Sequence, residues 1–131
     1  MKKIILLAIA ISIFSCSEDP KLVLFSPEAF AFSMGEGWEV NASVNAKGFA
    51  QIEKDNSDLY FSHISYSVNL FTPTDSIYNA DYDTIIDSTN EEILDKQIGA
   101  QLELDSGFSA GNYIIEFIVV DEYSLTKDTV S

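Results

Sequence analysis

The sequence predicts an all-β protein that folds as an antiparallel two-sheet sandwich of about seven strands. Three observations support this fold class. Apolar and polar residues alternate with a period of two in several segments, clusters of turn-forming residues separate these segments, and no long amphipathic helical pattern occurs. Nine Phe, six Tyr and one Trp supply the apolar surface for a packed core. We therefore expect one domain over residues 21–131.

The first part of this domain is predicted to form a strand and then a short helix. Residues 21–25 are a short, mostly apolar run, which indicates the first strand. Ser26 and Pro27 then have the residue types of a helix N-cap and a first helical position. A helix of one or two turns is expected there, and Gly35 would end it.

Two further segments have the alternation of strands with one buried and one wet face. In residues 38–46, Trp38 belongs to the apolar set, so its indole is expected in the core rather than on an exposed platform. Residues 61–71 alternate in the same way and end before Pro73, because proline lacks the amide donor that a strand needs. Between them, residues 49–52 suggest a further short strand.

The second half combines an acidic segment with regular strands. Residues 72–97 carry seven acidic residues and one lysine, and they are expected to form a mostly exposed excursion with one irregular strand. Residues 98–104 alternate regularly. Residues 113–120 are apolar on nearly both sides, which indicates a strand in the middle of a sheet, and residues 124–130 form the predicted last strand.

The end of the chain resembles a known class of domain. Gly111 and Tyr113, the alternating apolar residues after them, and Asp121 before a closing strand resemble the last two strands of immunoglobulin-like bacterial domains of the PKD and cadherin-like types. The resemblance implies an immunoglobulin-like sandwich. It also implies a tyrosine corner at Tyr113, in which the hydroxyl bonds back to the preceding loop. Such sandwiches host many roles, so no particular activity is implied.

The start of the chain has the order of a secretory signal. Lys2 and Lys3 precede an apolar run that is too short for a membrane span, and small Ser15 stands before Cys16, the only cysteine. This order resembles the signal peptide of bacterial lipoproteins. In that family the cysteine is diacylated on sulfur and becomes the first residue of the mature chain. Two acyl chains anchor a protein to a membrane that it does not span.

The resemblance divides the chain into a signal peptide at residues 1–15, an acidic tether at 16–20 and the domain at 21–131. It implies an outer-membrane lipoprotein in the cell envelope of a gram-negative bacterium, anchored through Cys16. Residues 17–19 resemble an acidic signal for the cell surface, and a solvated tether is the other interpretation. For Cys16 the alternative is a free thiol, since no second cysteine exists to form an internal disulfide.

The charge balance argues against one class of partner. The chain has 7 Lys plus Arg and 21 Asp plus Glu, for a formal net charge of −14. A protein that binds nucleic acid needs Lys or Arg to replace the counterions of the phosphates. Nucleic acid is therefore not expected as a partner. We expect a monomer that binds an unknown protein or glycan.

No residue pattern indicates catalysis or a cofactor. His63, the single histidine, lies on the polar face of a predicted strand. A flat strand does not bring Ser, His and Asp together in one concave site, and zinc sites need more Cys and His than this chain has. The sequence therefore predicts a non-catalytic module for adhesion, binding or assembly. A small hydrolase or an inhibitor of one is the alternative from another class.

Calcium and carbohydrate are the two ligands that the residue types leave open. Asp75, Asp81 and Asp83 offer hard oxygen ligands, and cadherin-like sandwiches bind calcium between domains. The spacing matches no EF-hand, so a solvated acidic loop is the alternative. Less defined candidates are Asp55, Asp58 and Asp121. Aromatic rings can stack on sugars. The alternation alone does not settle the burial of five of the rings, and these are the candidates: Trp38, Tyr60, Tyr78, Tyr82 and Tyr123.

Overall fold

A computed structural model describes residues 21–54 and 57–131. The part of the chain that it describes contains eight strands and no helix. The strands are β1 (Val23–Met34), β2 (Gly37–Lys47), β3 (Ile52–Glu53), β4 (Tyr60–Phe71), β5 (Ser76–Thr89), β6 (Asp95–Leu104), β7 (Ile114–Asp121) and β8 (Lys127–Val130).

The strands form two antiparallel sheets, which confirms the predicted sandwich. One sheet has the order β1-β2-β6, and the other has the order β5-β4-β7-β8, with β3 paired to the start of β4. The chain changes sheets three times, after β2, β5 and β6. In a constant-type immunoglobulin domain the two sheets have the strand orders A-B-E-D and C-F-G. β1, β2 and β6 have the order of A, B and E, and β4, β7 and β8 have the order of C, F and G. β5 lies beside β4, whereas strand D lies at the edge of the first sheet.

The core lies between the two sheets and consists of the alternating apolar residues. Every second residue faces inward and is less than one-tenth exposed from Val40 to Ala46 on β2 and from Ile98 to Leu104 on β6. Ile64, Val68 and Leu70 on β4 and Phe117 and Val119 on β7 face inward and are buried to the same extent. The alternation that predicted these strands is therefore confirmed. The core residues on these four strands are Val40, Ala42, Val44, Ala46, Ile64, Val68, Leu70, Ile98, Ala100, Leu102, Leu104, Phe117 and Val119.

The first strand shows that the predicted short helix is wrong. Ser26 adopts a left-handed backbone conformation with φ of 51°, and the pairing of β1 with β2 shifts register between Phe25 and Glu28. The residue types of a helix N-terminus therefore form a β-bulge. Pro27 is tolerated there because β1 is an edge strand, where a missing amide donor breaks no ladder. Beyond the bulge the strand continues to Met34.

The acidic segment is more regular than the sequence suggests. It forms β5, which is 14 residues long and pairs with β4 with one register shift between Val68 and Leu70. Asn79 lies at this irregularity, with φ of 54°. Asp81 and Asp83 share the face of the sheet that carries the core residues of β4. Inward-pointing charges on an edge strand discourage pairing with another chain.

A tyrosine fixes the loop before β7. The hydroxyl of Tyr113 donates a hydrogen bond to the carbonyl oxygen of Ser109. This contact is the one expected for a tyrosine corner, so the loop between β6 and β7 is tied to the strand that follows it.

A buried carboxylate joins two loops at the other end of the sandwich. Asp121 is 0% exposed. One of its oxygens accepts hydrogen bonds from the amide of Ala50 at 2.6 Å and the hydroxyl of Ser124 at 2.7 Å. The other accepts from the amides of Tyr123 at 3.1 Å and Ser124 at 3.4 Å. Both oxygens are thus occupied by protein donors, which makes Asp121 a structural residue.

Candidate binding groove

One end of the sandwich opens into an apolar cleft with a volume of about 420 Å³. Its walls come from β1, β2, β7 and the loop before β7, and its floor comes from the core residues Leu70 and Leu104. A shallower depression of about 260 Å³ continues it along β1 toward the bulge and shares Ala29, Tyr113 and Ile115 with it. We call the cleft and this depression together the groove. Its size lies in the range of ligand sites in proteins.

The groove lies beside the part of β7 that has no pairing with β8. β8 has four residues and pairs with β7 from Phe117 to Val120. Among the described residues, no strand lies beside the start of β7 on the side away from β4. Residues 26–34 of β1 are exposed throughout. In the part of the chain that the structure describes, the inward faces of β1 and β2 are therefore accessible at this end.

Trp38 lies at the mouth of the groove, so its predicted burial is wrong. It is opposite Leu104 across β2 and β6, and it faces inward as the alternation predicts. Nevertheless 48% of the residue is exposed, because no strand of the second sheet among residues 21–54 and 57–131 covers it. The local pattern determined the face, and the extent of the opposing sheet determined the burial.

The groove lies at an end of the sandwich where the described residues include no lysine. Lys47 is opposite both Val23 and Asp95, and Lys127 is opposite Val120, which places them at the other end. At this end Glu39 and Glu103 lie directly opposite each other on the outer face of the first sheet. Like charges in this position repel, so a cation is favoured here. The lysines at the far end are Lys21, Lys47, Lys54, Lys96 and Lys127.

The predicted calcium ligands do not come together. Asp81 and Asp83 share one face of β5, whereas Asp75 precedes the strand. Ser76 and Asp81 pair with Phe71 and Val68, which are three residues apart on β4. The backbone positions of Asp75 and Asp81 are therefore more than about 10 Å apart, which exceeds the separation of ligands on one ion. The oxygens of Asp81 and Asp83 accept hydrogen bonds from the amides of Tyr82 and Thr84. In the part of the chain that the structure describes, no group of three His, Cys, Asp or Glu residues could hold a metal ion.

The single histidine lies in an aromatic contact. The ring of His63 meets the ring of Tyr123 edge-on, with centroids 5.9 Å apart. The neighbouring Ser62 is buried and accepts a hydrogen bond from the ammonium of Lys96 at 3.3 Å. Among residues 21–54 and 57–131, no side chain is hydrogen-bonded to the imidazole, so the described structure does not assemble the Ser-His-Asp arrangement that a hydrolase would need.

The five candidate aromatic residues do not form one platform. Tyr78 and Tyr82 are 67% and 71% exposed on β5. Tyr60 and Tyr123 are partly buried at the opposite end, and Trp38 lies on the other sheet. Only Trp38 is placed in a concave site.

Several predictions from the sequence fall outside the described residues: the signal peptide at 1–15, the tether at 16–20 with Cys16, and the calcium candidate Asp55. Asp58 is described and exposed. The described residues also include no helix with the length and hydropathy that a bilayer crossing requires.

The second half of β1 was not predicted from the sequence to be part of a site. A signal was present, because residues 29–34 alternate Ala and Ser with Phe and Met and carry no charge. This is a strand pattern with small residues on one face. The preceding Ser-Pro pair favoured a helix instead.

No family model, curated protein or solved structure matches this chain.

Proposed function

We propose that this chain is a non-catalytic lipoprotein of a gram-negative outer membrane, anchored through Cys16, whose domain binds a partner in the groove. The observation that carries the proposal is the position of the groove. It opens at the end of the sandwich opposite to Lys21, which approaches the backbone of Gly48 just after β2. One end of the domain would thus be attached to the membrane, and the opposite end would bind the partner.

The distances support this division. β2 has 11 residues and runs the length of the domain, so its two ends are about 35 Å apart. Cys16 precedes Lys21 by five residues, which span at most about 17 Å of extended chain. Lipid chains at Cys16 would hold the lysine-bearing end near the membrane. The groove would then face away from it, toward the surrounding medium.

The lining of the groove supports binding by apolar contact. Ala29, Ala31 and Ile115 line it together with the rings of Trp38 and Tyr113. Each Å² of apolar surface that a partner buries contributes about 25 cal/mol. Tryptophan and tyrosine are enriched among the residues that dominate binding energy in protein interfaces. A half-exposed tryptophan at the mouth of an apolar groove fits such a role.

The anchor is tested by mass spectrometry of the protein isolated from envelope membranes. We expect a mature N-terminus at an acylated Cys16, and we expect Cys16→Ser to move the protein from the membrane to the soluble fraction. Ser17→Ala is the control and should leave it in the membrane. An unmodified Cys16 thiol in the membrane-bound protein would refute the anchor.

Binding in the groove is tested with the neutral apolar dye Nile red. Its emission should rise and shift to the blue with the wild-type domain. Ala31→Arg, which places a long charged side chain at the groove, should weaken this response about tenfold. Gln97→Arg adds the same side chain at an exposed position near the other end of β6 and should leave the response unchanged. Equal responses from both variants would place the dye elsewhere and refute the proposal.

A further inference from the structure

We propose that the partner is an extended peptide segment flanked by lysine or arginine, which adds as a strand to the free edge of β1 and places alternate side chains in the groove. This inference rests on the proposed function, because it names the occupant of the same groove. Three properties of β1 and its surroundings carry it: an open edge, an apolar surface and an acidic border.

The edge of β1 is covered on one side of the bulge and open on the other. Before the bulge, the amide of Leu22 donates to the hydroxyl of Thr126 at 3.2 Å, and the amide of Leu24 donates to the carboxylate of Asp128 at 2.8 Å. These contacts fasten the first half of β1 to β8 and the turn before it. From Ala29 to Met34, none of the described residues forms a strand or a side-chain hydrogen bond along this edge.

Beyond the bulge with Pro27, and after Glu28, the open half of β1 carries no charged side chain. Proteins place charged residues on an exposed edge to prevent pairing with other chains. β5, an edge strand of the second sheet, follows this rule with Asp81, Asp83 and Asp87. The six residues of β1 from Ala29 to Met34 contain no charge. The edges of β1 and β5 therefore have opposite properties, and the open half of β1 is suited to accept a strand.

Both faces of the open strand offer apolar contact. Ala29 and Ala31 face the groove, and their small side chains leave room for larger ones from a partner. On the other face, Phe30, Phe32 and Met34 are 58%, 54% and 61% exposed. A strand beside β1 would place every second side chain in the groove and the others against these residues. Pairs of aromatic and β-branched side chains stabilise neighbouring strands.

The charge of this end selects the partner. Glu39 and Glu103 face each other across β2 and β6, and Asp105 lines the same border next to Trp38. A cationic residue at the end of the bound strand would relieve their repulsion. A second copy of this chain would instead bring a further net charge of −14 to the contact. Complementarity therefore favours a basic peptide over self-association.

The experiment uses a synthetic peptide, acetylated and amidated, of the sequence Lys-Val-Thr-Val-Thr-Val-Lys. Seven residues match the open edge, the valines alternate into the groove, and the threonines face the exposed aromatic rings. Trp38 is the only tryptophan of the chain, so its fluorescence reports occupancy directly. We expect a saturable blue shift that weakens with salt. Ala31→Arg should raise Kd about tenfold or more, and Gln97→Arg should stay within about twofold.

Two further measurements separate strand addition from other contacts. Amide hydrogen exchange at residues 29–34 should slow when the peptide binds, while exchange along β5 should not change. A peptide with glutamate in place of both lysines should bind at least about tenfold more weakly. Unchanged exchange along β1, or equal binding of the two peptides, would overturn the inference.

The failure of this inference is distinguishable from failure of the proposed function. Binding of Nile red in the groove without binding of the peptide would preserve the proposed function and overturn the peptide as its occupant. No response from either probe would overturn both. Sedimentation that shows a dimer, lost on Ala31→Arg and kept on Gln97→Arg, would identify a second copy as the occupant and would also overturn the peptide.

Discussion

Replacement of Asp121 by alanine should destabilise the domain more than any other single loss of a carboxylate described above. The residue is 0% exposed, and its two oxygens accept four hydrogen bonds, from three amides and one hydroxyl. A hydrogen bond to a charged group contributes about 1.5–3 kcal/mol. The donors at Tyr123 and Ser124 are only partly buried and regain some contact with water, whereas Ala50 is buried and does not.

We therefore expect Asp121→Ala to lower the free energy of unfolding by about 3–5 kcal/mol. That loss is a large fraction of the 5–15 kcal/mol of a typical domain. The measurement is urea unfolding followed by circular dichroism. Asp121→Asn should lose most of the same free energy, because its NH₂ group would face an amide donor.

The control is Asp58→Ala, which removes an exposed carboxylate and should change the free energy of unfolding by less than about 0.5 kcal/mol. The reasoning would be refuted if Asp121→Ala cost no more than this control. Such a result would mean that the loops around Asp121 find other acceptors without loss.

Three further predictions concern a glycine, a tyrosine and calcium. Gly48→Ala should lower the free energy of unfolding in urea by more than about 2 kcal/mol, because φ is +73° and a Cβ would lie 2.0 Å from the carbonyl oxygen of Lys21. The control is Gly35→Ala, where φ is +69° but nothing lies within 4 Å of the added Cβ, and it should cost about 1 kcal/mol. Equal losses would contradict the steric argument. Burial, with a contribution from Asp81, raises the pKa of Tyr66 above its usual value. The folded state therefore binds the phenol proton of Tyr66 more tightly than the unfolded state does. Its contribution to the free energy of unfolding is complete below pH 10 and declines as pH rises through the raised pKa. Tyr66→Phe should flatten this part of the alkaline decline in the urea midpoint, and an unchanged slope would contradict the prediction. Millimolar calcium should leave Tm unchanged, since the three predicted aspartates do not converge; a rise of several degrees would contradict that separation.

The strands that could be predicted are those whose burial depends on one local pattern. β2, β4, β6 and β7 show alternation because each buries one face against the opposing sheet. The edge strands β1 and β5 were harder to predict. Ser26 and Pro27 have the same residue types whether they begin a helix or form a bulge, and pairing with a strand distant in sequence decided between the two. β5 resembled a loop because its edge position allows carboxylates on both faces.

The candidate site depended on information that no local pattern contains. The face of Trp38 could be predicted from alternation, but its exposure of 48% depends on the strands and loops of the opposing sheet, which come from distant parts of the chain. The three calcium candidates lie apart for a related reason. Asp75, Asp81 and Asp83 are close in sequence, and an extended strand separates close neighbours where a tight loop would collect them. Composition identified the residue types, and only the backbone path determined whether they met.

The uncharged edge of β1 also has a consequence for the solubility of the protein. At neutral pH the net charge of −14 keeps two molecules from aligning these edges. At a pH near the isoelectric point of about 4.1 the net charge falls to about zero, while the backbone groups and phenylalanines of residues 29–34 are unaffected. Two copies would then pair along this strand. Because each copy contributes its own β1 edge, the pairing closes as a two-fold dimer. Strong acidification would thus turn the binding surface into a contact between two copies.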